Sequence, residues 1–294
     1  MRIGFLGLGA IGRPMASHLV DQDLIVWNRT SSVARAFAAQ YGVEWADTPR
    51  ALAHRVDAAI TCLPTSAEVA DVLWGPAGLA EGLASGSLVV DCTSGDPARS
   101  RRIADDLARR GVGFVDAPVS GGTNGAEAGT LTVMVGGTDA AYARATVILS
   151  AFAFRVEHIG PVGTGHALKA VNQALLATNI LALGEGLAAL VKAGVPAARA
   201  VQVLNASSGR SFVSEQLIPD RVLSGTWPAT FRLALLDKDA SIALAVLEEA
   251  GVRGPVLHRV SELLHHARNE LGEEADYLEV IKLNEREVGV EIRE

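Results

Sequence analysis

The first half of the chain alternates short apolar runs with longer stretches in which apolar residues recur at helical spacing. Short continuous apolar runs are typical of parallel strands, which are buried on both faces. Such runs occupy residues 2–7, 24–28, 58–64, 87–92, 113–118, 131–137 and 155–160. Helical segments separate most of them, for example at 33–41, 66–73 and 97–110. This alternation predicts a doubly wound α/β domain over residues 1–161.

The pattern changes after Gly165, where strand signals stop. A long apolar stretch reaches about residue 193, and helical periodicity then returns at 197–207, 239–251, 256–272 and 276–287. The break at 159–165 is rich in glycine and suits a domain junction. We therefore predict an all-α domain over residues 162–294, joined to the first domain by a long interdomain helix.

Length and charge narrow the function classes. A chain of 294 residues that is 49% hydrophobic can bury two cores. A net charge of -7 and a pI near 5.5 offer no broad basic surface to nucleic acid or anionic lipid. The start of the chain has no signal-peptide pattern, and Asn172, Gln173, Asn179 and Glu185 interrupt the long apolar stretch. We expect a cytoplasmic protein without a membrane span.

Cysteine and histidine spacing gives no sign of a metal site. Cys62 and Cys92 are far apart in sequence and form no CxxC or ligand pattern, which predicts buried thiols in a reducing compartment. The seven histidines include no HExxH motif. We interpret His158 and His166, which flank the domain junction, as structural.

A glycine pattern follows the first predicted strand and opens a helix. It reads "GLGAIG" and comprises Gly7, Leu8, Gly9, Ala10, Ile11 and Gly12. In a dinucleotide-binding domain the first glycine allows the tight turn, and the second lets the backbone approach the pyrophosphate. The third allows close helix–strand packing, and the helix N-terminus supplies N–H donors. The motif predicts a Rossmann-type cofactor domain.

The second predicted strand ends without the usual acid. An NAD site normally has Asp or Glu there to bind the adenosine ribose, whereas this chain has Asn28, Arg29 and Thr30. An amide, a guanidinium and a hydroxyl suit a 2′-phosphate. We predict NADP in preference to NAD, with NAD use still open. The alternative is that Arg29 is a solvated loop cation.

Two further strand ends are candidates for the cofactor edge. Ligands of doubly wound sheets bind at the carboxyl ends of the strands. Leu63 and Pro64 follow one strand, and Thr93 and Ser94 follow the next. The alternative for all four is ordinary turn chemistry.

Residues 116–137 are unusually rich in glycine. Ser120, Gly121 and Gly122 could present successive backbone N–H groups and a hydroxyl to an anion, such as a substrate carboxylate. From composition alone a flexible loop explains the segment equally well.

The long apolar helix carries polar groups near its start. Lys169, Asn172 and Gln173 share one face because residues three and four apart are neighbours on a helix. A lysine can accept a proton when burial and nearby positive charge lower its pKa. The alternative for Lys169 taken alone is a surface lysine that lays its stem on apolar residues. Only four of the 26 basic residues are lysines: Lys169, Lys192, Lys238 and Lys282.

Four motifs in this order resemble the β-hydroxyacid dehydrogenase family. They read "GLGAIGRPMASHL", "DAPVSGGTNGAEAGTLTVMVGG", "GTGHALKAVNQ" and "LDKDASIALA", and they span essentially the whole chain. The stretch "LNASSGRS" resembles the 3-hydroxyisobutyrate dehydrogenase branch. Ile11 stands where the family usually has Met, His18 where Asn is common, and Gln173 where that branch more often has Asn.

The resemblance implies an enzyme with Lys169 as the catalytic acid/base. It also implies that Ser120, Gly121 and Gly122 hold the substrate carboxylate and that Asn172 and Gln173 contact the substrate. Lys238 would reach cofactor or substrate, oriented by Asp239. The reaction it implies is oxidation of 3-hydroxyisobutyrate to methylmalonate semialdehyde with NADP or NAD.

Other functions stay open at this stage. Gln173 is common in tartronate semialdehyde reductases, so tartronate, glyoxylate or succinic semialdehyde reduction is an alternative. A 6-phosphogluconate dehydrogenase fits less well, because that family has His-Asn where this chain has Asn172-Gln173. A cofactor-bound interaction module without activity is the non-enzyme alternative. The apolar second half and the resemblance predict a homodimer or homotetramer.

Overall fold

The computed structural model of the protein describes residues 1–293. The chain divides into two compact units, Met1–Lys169 and Ala170–Glu294. The division falls inside one long helix, so the domain boundary expected after residue 161 stays a prediction.

The first unit is built on one mixed sheet. Its strands are β1 (Ile3–Leu6), β2 (Leu24–Trp27), β3 (Glu44–Trp45), β4 (Ala58–Thr61), β5 (Leu88–Asp91), β6 (Gly113–Asp116), β7 (Val119–Ser120), β8 (Leu131–Gly136) and β9 (Ala153–Gly160). The order β3-β2-β1-β4-β5-β6 is parallel throughout. Beyond it, β8 is antiparallel to β6 and β7 and parallel to β9. This confirms the predicted Rossmann-type doubly wound sheet.

Helices connect the strands of the first unit. They are α1 (Gly12–Ser17), α2 (Ser31–Tyr41), α3 (Pro49–Ala53), α4 (Ser66–Trp74), α5 (Pro97–Ala108), α6 (Gly122–Ala128) and α7 (Asp139–Leu149), with a 3-10 helix at Leu79–Glu81. Successive strand residues alternate between two cores: Ile3 and Phe5 belong to one, and Leu6 belongs to the other. Because both faces are covered, the strands contain few polar residues.

The second unit is helical, as predicted. After α8 (Thr164–Lys192) come α9 (Ala197–Asn205), a π-helix (Val213–Leu223), α10 (Leu233–Glu249), α11 (Pro255–Leu271), a 3-10 helix (Tyr277–Val280) and α12 (Ile281–Val288). One apolar core joins these elements and includes Ile180, Leu217, Leu236 and Leu264.

Several predicted boundaries were wrong. The strand predicted at 58–64 ends at Thr61 and the one at 113–118 ends at Asp116, because the apolar residues that follow already belong to the turns at the sheet edge. The helix predicted at 239–251 begins at Leu233, so the "LDKD" motif lies inside α10. The two-residue strands β3 and β7 are too short to produce a periodic pattern.

Candidate active site

The glycine loop after β1 is crowded at its ends and open in the middle. Gly7 has a φ of 105°, and a Cβ there would lie 2.2 Å from the carbonyl oxygen of Cys62. A Cβ on Gly12 would lie 2.0 Å from the carbonyl oxygen of Gly7. A Cβ on Gly9 would meet no atom within 4 Å. The residues therefore fit a dinucleotide, whose pyrophosphate needs open backbone at the middle glycine.

The end of β2 is tied to this loop by Asn28. Its Oδ1 accepts a hydrogen bond from the backbone N–H of Leu8 (3.0 Å), and its Nδ2 donates to the carbonyl of Thr30 (3.1 Å). Arg29 and Thr30 are exposed at the carboxyl end of the strand. Asn28 therefore shapes the loop, and the guanidinium of Arg29 is accessible from solvent.

The ends of β4 and β5 form a polar cluster around Asp91. Thr61 Oγ1 and the Thr93 backbone N–H donate to Asp91 Oδ1 at 2.8 and 3.1 Å, and Thr93 Oγ1 accepts from the Leu63 N–H at 3.1 Å. Burial raises the pKa of the Asp91 carboxyl, and the nearby His166 opposes that shift. The cluster fixes the Leu63-Pro64 and Thr93-Ser94 turns at the sheet edge.

The two cysteines are free thiols beside this cluster. Burial raises the pKa of Cys62 to about 12 and raises the pKa of Cys92 as well. A raised pKa favours the protonated thiol near pH 7, and a protonated thiol is a poor nucleophile.

The glycine-rich segment 116–137 is ordered into elements rather than a flexible loop. Ser120 ends β7 and is half-buried. Gly121 and Gly122 are exposed and have φ values of 131° and 63°. They lead directly into α6, so Ser120 and these two backbone positions are presented together at the start of a helix.

His18 is a residue whose role the sequence did not reveal. Its Nε2 lies 2.9 Å from the carbonyl of Ala126 and 3.1 Å from that of Glu127, at the carboxyl end of α6. This histidine therefore ties the end of α6 to the end of α1. The only sequence signal was its departure from the Asn common at this position.

Lys169 lies in the second turn of α8 and is 7% exposed. The start of this helix is held by two buried residues that the sequence did not single out as functional, Asp116 and His166. The structure thus places a buried lysine on a firmly held helix in the same unit as Ser120 and the glycine loop.

The predicted site residues of the second unit form a polar network. Asn172 Nδ2 donates to Gln173 Oε1, and Gln173 Nε2 donates to Asp239 Oδ2, each at 3.3 Å. Lys238 Nζ lies 3.1 Å from Asp239 Oδ1 in an ion pair. Gln173 and Asp239 are buried. Asp239 therefore holds both Lys238 and Gln173, while Asn172 is half-buried.

Comparison with known proteins agrees with this arrangement. Residues 2–160 match the profile described as the NAD binding domain of 6-phosphogluconate dehydrogenase. Residues 163–284 match the profile described as the NAD-binding of NADP-dependent 3-hydroxyisobutyrate dehydrogenase.

Named relatives cover almost the whole chain. A 2-(hydroxymethyl)glutarate dehydrogenase of Eubacterium barkeri is 35% identical over 99% of this chain and 97% of its own length. The human mitochondrial 3-hydroxyisobutyrate dehydrogenase is 33% identical over 87% of this chain and 77% of its own. The structure of the Mycobacterium tuberculosis 3-hydroxyisobutyrate dehydrogenase with L-serine has a TM-score of 0.86 at 26% identity, covering 96% of this chain and 99% of that one.

The fold and the glycine loop define a dinucleotide-binding protein. The matched profiles and relatives are more specific: the chain belongs to the β-hydroxyacid dehydrogenase family. It is an NAD(P)-dependent hydroxyacid dehydrogenase that acts on a CH–OH group, which confirms the prediction of an enzyme.

Proposed function

We propose that this enzyme oxidises 3-hydroxyisobutyrate to methylmalonate semialdehyde, with Lys169 as the general acid/base and NADP as the preferred cofactor. The observation that carries the proposal is the buried Lys169 in the same unit as the glycine loop and the Ser120–Gly122 segment. Several relatives are named 3-hydroxyisobutyrate dehydrogenases.

The protein's own groups divide the chemistry between them. The bound nicotinamide supplies the hydride acceptor for the C–H bond that is broken. Nζ of Lys169, as the neutral amine, accepts the hydroxyl proton as the alcohol becomes a carbonyl. In reduction the ammonium returns that proton. The proton leaves from the hydroxyl and the hydride from the carbon that bears it, so no bond of the carboxylate changes and the carboxylate serves as a binding group.

We assign substrate binding to the Ser120 hydroxyl and to the backbone N–H groups of Gly121 and Gly122, which would hold the carboxylate. Asn172, Gln173 and Lys238 are further proposed contacts to substrate or cofactor, with Asp239 as their anchor. We also propose a cytoplasmic enzyme that assembles as a homodimer or homotetramer.

The preference for NADP rests on Arg29. Its guanidinium is exposed at the end of β2, where an NAD site has an acid. The solved structure of Psf3 in complex with NADP+ and 2-OPP has a TM-score of 0.86 at 26% identity and covers 96% of this chain. That ligand belongs to the neighbour and supports the proposal by analogy.

A second substrate class is favoured by specific observations. The Eubacterium barkeri relative is named for 2-(hydroxymethyl)glutarate, which is also a β-hydroxy acid. Gln173, the residue common in tartronate semialdehyde reductases, turns its amide nitrogen to Asp239. We therefore keep 2-(hydroxymethyl)glutarate oxidation and the reduction of tartronate, glyoxylate or succinic semialdehyde as alternatives.

The test is a panel of initial rates with NADP and NAD in parallel. The substrates are 3-hydroxyisobutyrate, 2-(hydroxymethyl)glutarate, glycerate, glycolate and 4-hydroxybutyrate. We expect the highest kcat/KM with 3-hydroxyisobutyrate and NADP. A higher kcat/KM with another acid would replace the proposed substrate, and a higher value with NAD would overturn the cofactor preference.

A further inference from the structure

Asp116 is a fully buried carboxylate for which the proposed reaction has no use. It is the last residue of β6. Its Oδ1 accepts a hydrogen bond from the Gly163 N–H at 2.6 Å, and its Oδ2 accepts one from the His166 N–H at 2.8 Å. These N–H groups belong to the start of α8, where a helix has no carbonyls of its own to bond them. Asp116 therefore caps α8 from a distant part of the chain.

Two glycines make this close approach possible. A Cβ on Gly136 would lie 2.4 Å from Asp116 Oδ1. A Cβ on Gly165 would lie 2.2 Å from the carbonyl oxygen of Met134 and 2.9 Å from that of Asp116. Neither site has room for a side chain, so the start of α8 lies directly against the ends of β6 and β8.

The His166 side chain holds the same turn of α8 a second time. Its Nε2 lies 2.7 Å from the carbonyl oxygen of Thr93, and because a carbonyl only accepts, Nε2 is the donor. Its Nδ1 lies 2.7 Å from Ser100 Oγ, within hydrogen-bond distance. The ring is fully buried, and a Cβ on Gly95 would lie 2.8 Å from its Cε1. The turn is thus bonded to the segment after β5 and to α5.

Asp116 connects the helix that carries Lys169 with the segment that carries Ser120. Lys169 follows His166 by three residues, a rise of about 4.5 Å along the helix axis. Ser120 follows Asp116 by four residues in the chain. The Asp116 carboxylate therefore holds the helix that carries Lys169, and its backbone begins the segment that carries Ser120, Gly121 and Gly122.

We propose that Asp116 is a positioning residue that sets Lys169 relative to the Ser120–Gly122 segment. It thereby matches the proton acceptor to the site of the substrate carboxylate. The inference rests on the proposed function and adds the residue that aligns the Lys169 amine with the carboxylate-binding segment. A misplacement of about 1 Å can reduce turnover by about 100-fold, so a loosened helix start has a measurable cost.

The first test is Asp116→Asn in the full-length protein, which removes the charge and places an amide N–H against a backbone N–H. We expect kcat to fall by about 10- to 100-fold. The Kd for NADP should stay within about threefold, because the carboxylate of Asp116 bonds to the start of α8 at Gly163 and His166. KM for the hydroxy acid should change less than kcat. Wild-type kcat in a folded Asp116→Asn enzyme would overturn the proposal.

The matched control is Asp276→Asn in the second unit. Asp276 is also a buried capping carboxylate, and it accepts from the N–H groups of Thr230, Phe231 and Leu278. A purely structural role predicts lower stability and similar kcat for both variants. Our proposal predicts that kcat falls only in Asp116→Asn.

A second variant covers the case in which Asp116→Asn does not fold. Gly136→Ala keeps the carboxylate but pushes a methyl group against it, and we expect the same loss of kcat with NADP binding retained. Amide hydrogen exchange over residues 163–169 gives a readout without turnover, and it should accelerate in both Asp116 and Gly136 variants. Unchanged exchange would overturn the proposal. Absence of turnover in the wild-type enzyme on every hydroxy acid would instead contradict the proposed function.

Discussion

Arg29 is the single residue on which the proposed preference for NADP depends. The acid that normally binds the ribose is replaced by a cation, and this substitution is visible in the sequence because strand β2 is bounded by strong apolar signals. The neighbouring Asn28 was predicted to bind the cofactor. In the structure its amide oxygen accepts from Leu8 of the glycine loop, and its amide nitrogen donates to the carbonyl of Thr30. The residue types at this strand end could therefore be interpreted from the sequence, but the hydrogen-bond partners of Asn28 could not be predicted.

We predict that Arg29→Ala weakens NADP binding by about 10- to 100-fold, the loss expected for hydrogen bonds to a charged phosphate. NAD, which has no 2′-phosphate, should bind with a Kd within about threefold of the wild-type value. Fluorescence titration with both reduced cofactors measures the two constants. The matched control is Arg109→Ala, which removes an exposed arginine paired with Asp106 on α5. Equal NADP affinity in Arg29→Ala would return Arg29 to the role of a solvated loop cation.

At the scale of elements, the continuous apolar strands were predictable and the capping contacts were not. Parallel strands buried on both faces produce a strong signal, whereas α6 lies in a segment so rich in glycine that its helical character was hidden. Asp116 accepts hydrogen bonds from residues 47 and 50 positions away, so its capping role could not be predicted from any local sequence pattern. Long-range hydrogen bonds leave no period in the sequence, and they provide the part of the site that only the structure shows.

The 3-10 helix Tyr277–Val280 provides a test of element stability against pH. Burial raises the pKa of Tyr277 to about 12. Because the folded protein binds the phenol proton more tightly than the unfolded chain, this contribution is complete below about pH 10 and is lost as the pH rises towards 12. We expect the stability difference between wild type and Tyr277→Phe to shrink by about 1 kcal/mol from pH 10 to pH 11.

Denaturant unfolding at both pH values measures this difference, and subtraction removes the titration of other groups. Tyr277→Phe keeps the edge-on ring contact with Phe231 but loses the bond from Arg221. Tyr41→Phe, at a more exposed tyrosine, is the control and should show no such change. A stability difference that does not vary with pH would contradict a neutral, buried Tyr277.

For the molecule as a whole, the main open surface to explain is on α8, which is strongly apolar but only partly buried. By length and composition it could cross a membrane, with a mean hydropathy of 1.8 in its most apolar window, yet only 33% of that window is buried. Leu175 on this helix is 54% exposed. Burial within a single copy of the chain therefore accounts for only part of α8. A second copy of the chain is the occupant that the proposed homo-oligomer assigns to the exposed part.

We expect the wild-type protein to sediment as a dimer or tetramer and Leu175→Glu to shift it towards smaller species, because a charge in an apolar interface is costly. Analytical ultracentrifugation across a concentration series measures the shift. Val147→Glu, at a valine that is 70% exposed on α7, is the matched control and should leave the assembly unchanged. A stable monomer for the wild type would contradict the proposed assembly.

Proton transfer by Lys169 can be measured with single-turnover kinetics of Lys169→Arg. Arginine keeps the positive charge but has no neutral amine available to accept a proton near pH 7. We predict that hydride transfer, followed as NADPH absorbance, slows by about 100- to 10,000-fold, while the Kd for NADP stays within about threefold. A single-turnover rate in Lys169→Arg equal to that of the wild type would contradict proton transfer by Lys169, because another group would then be accepting the proton.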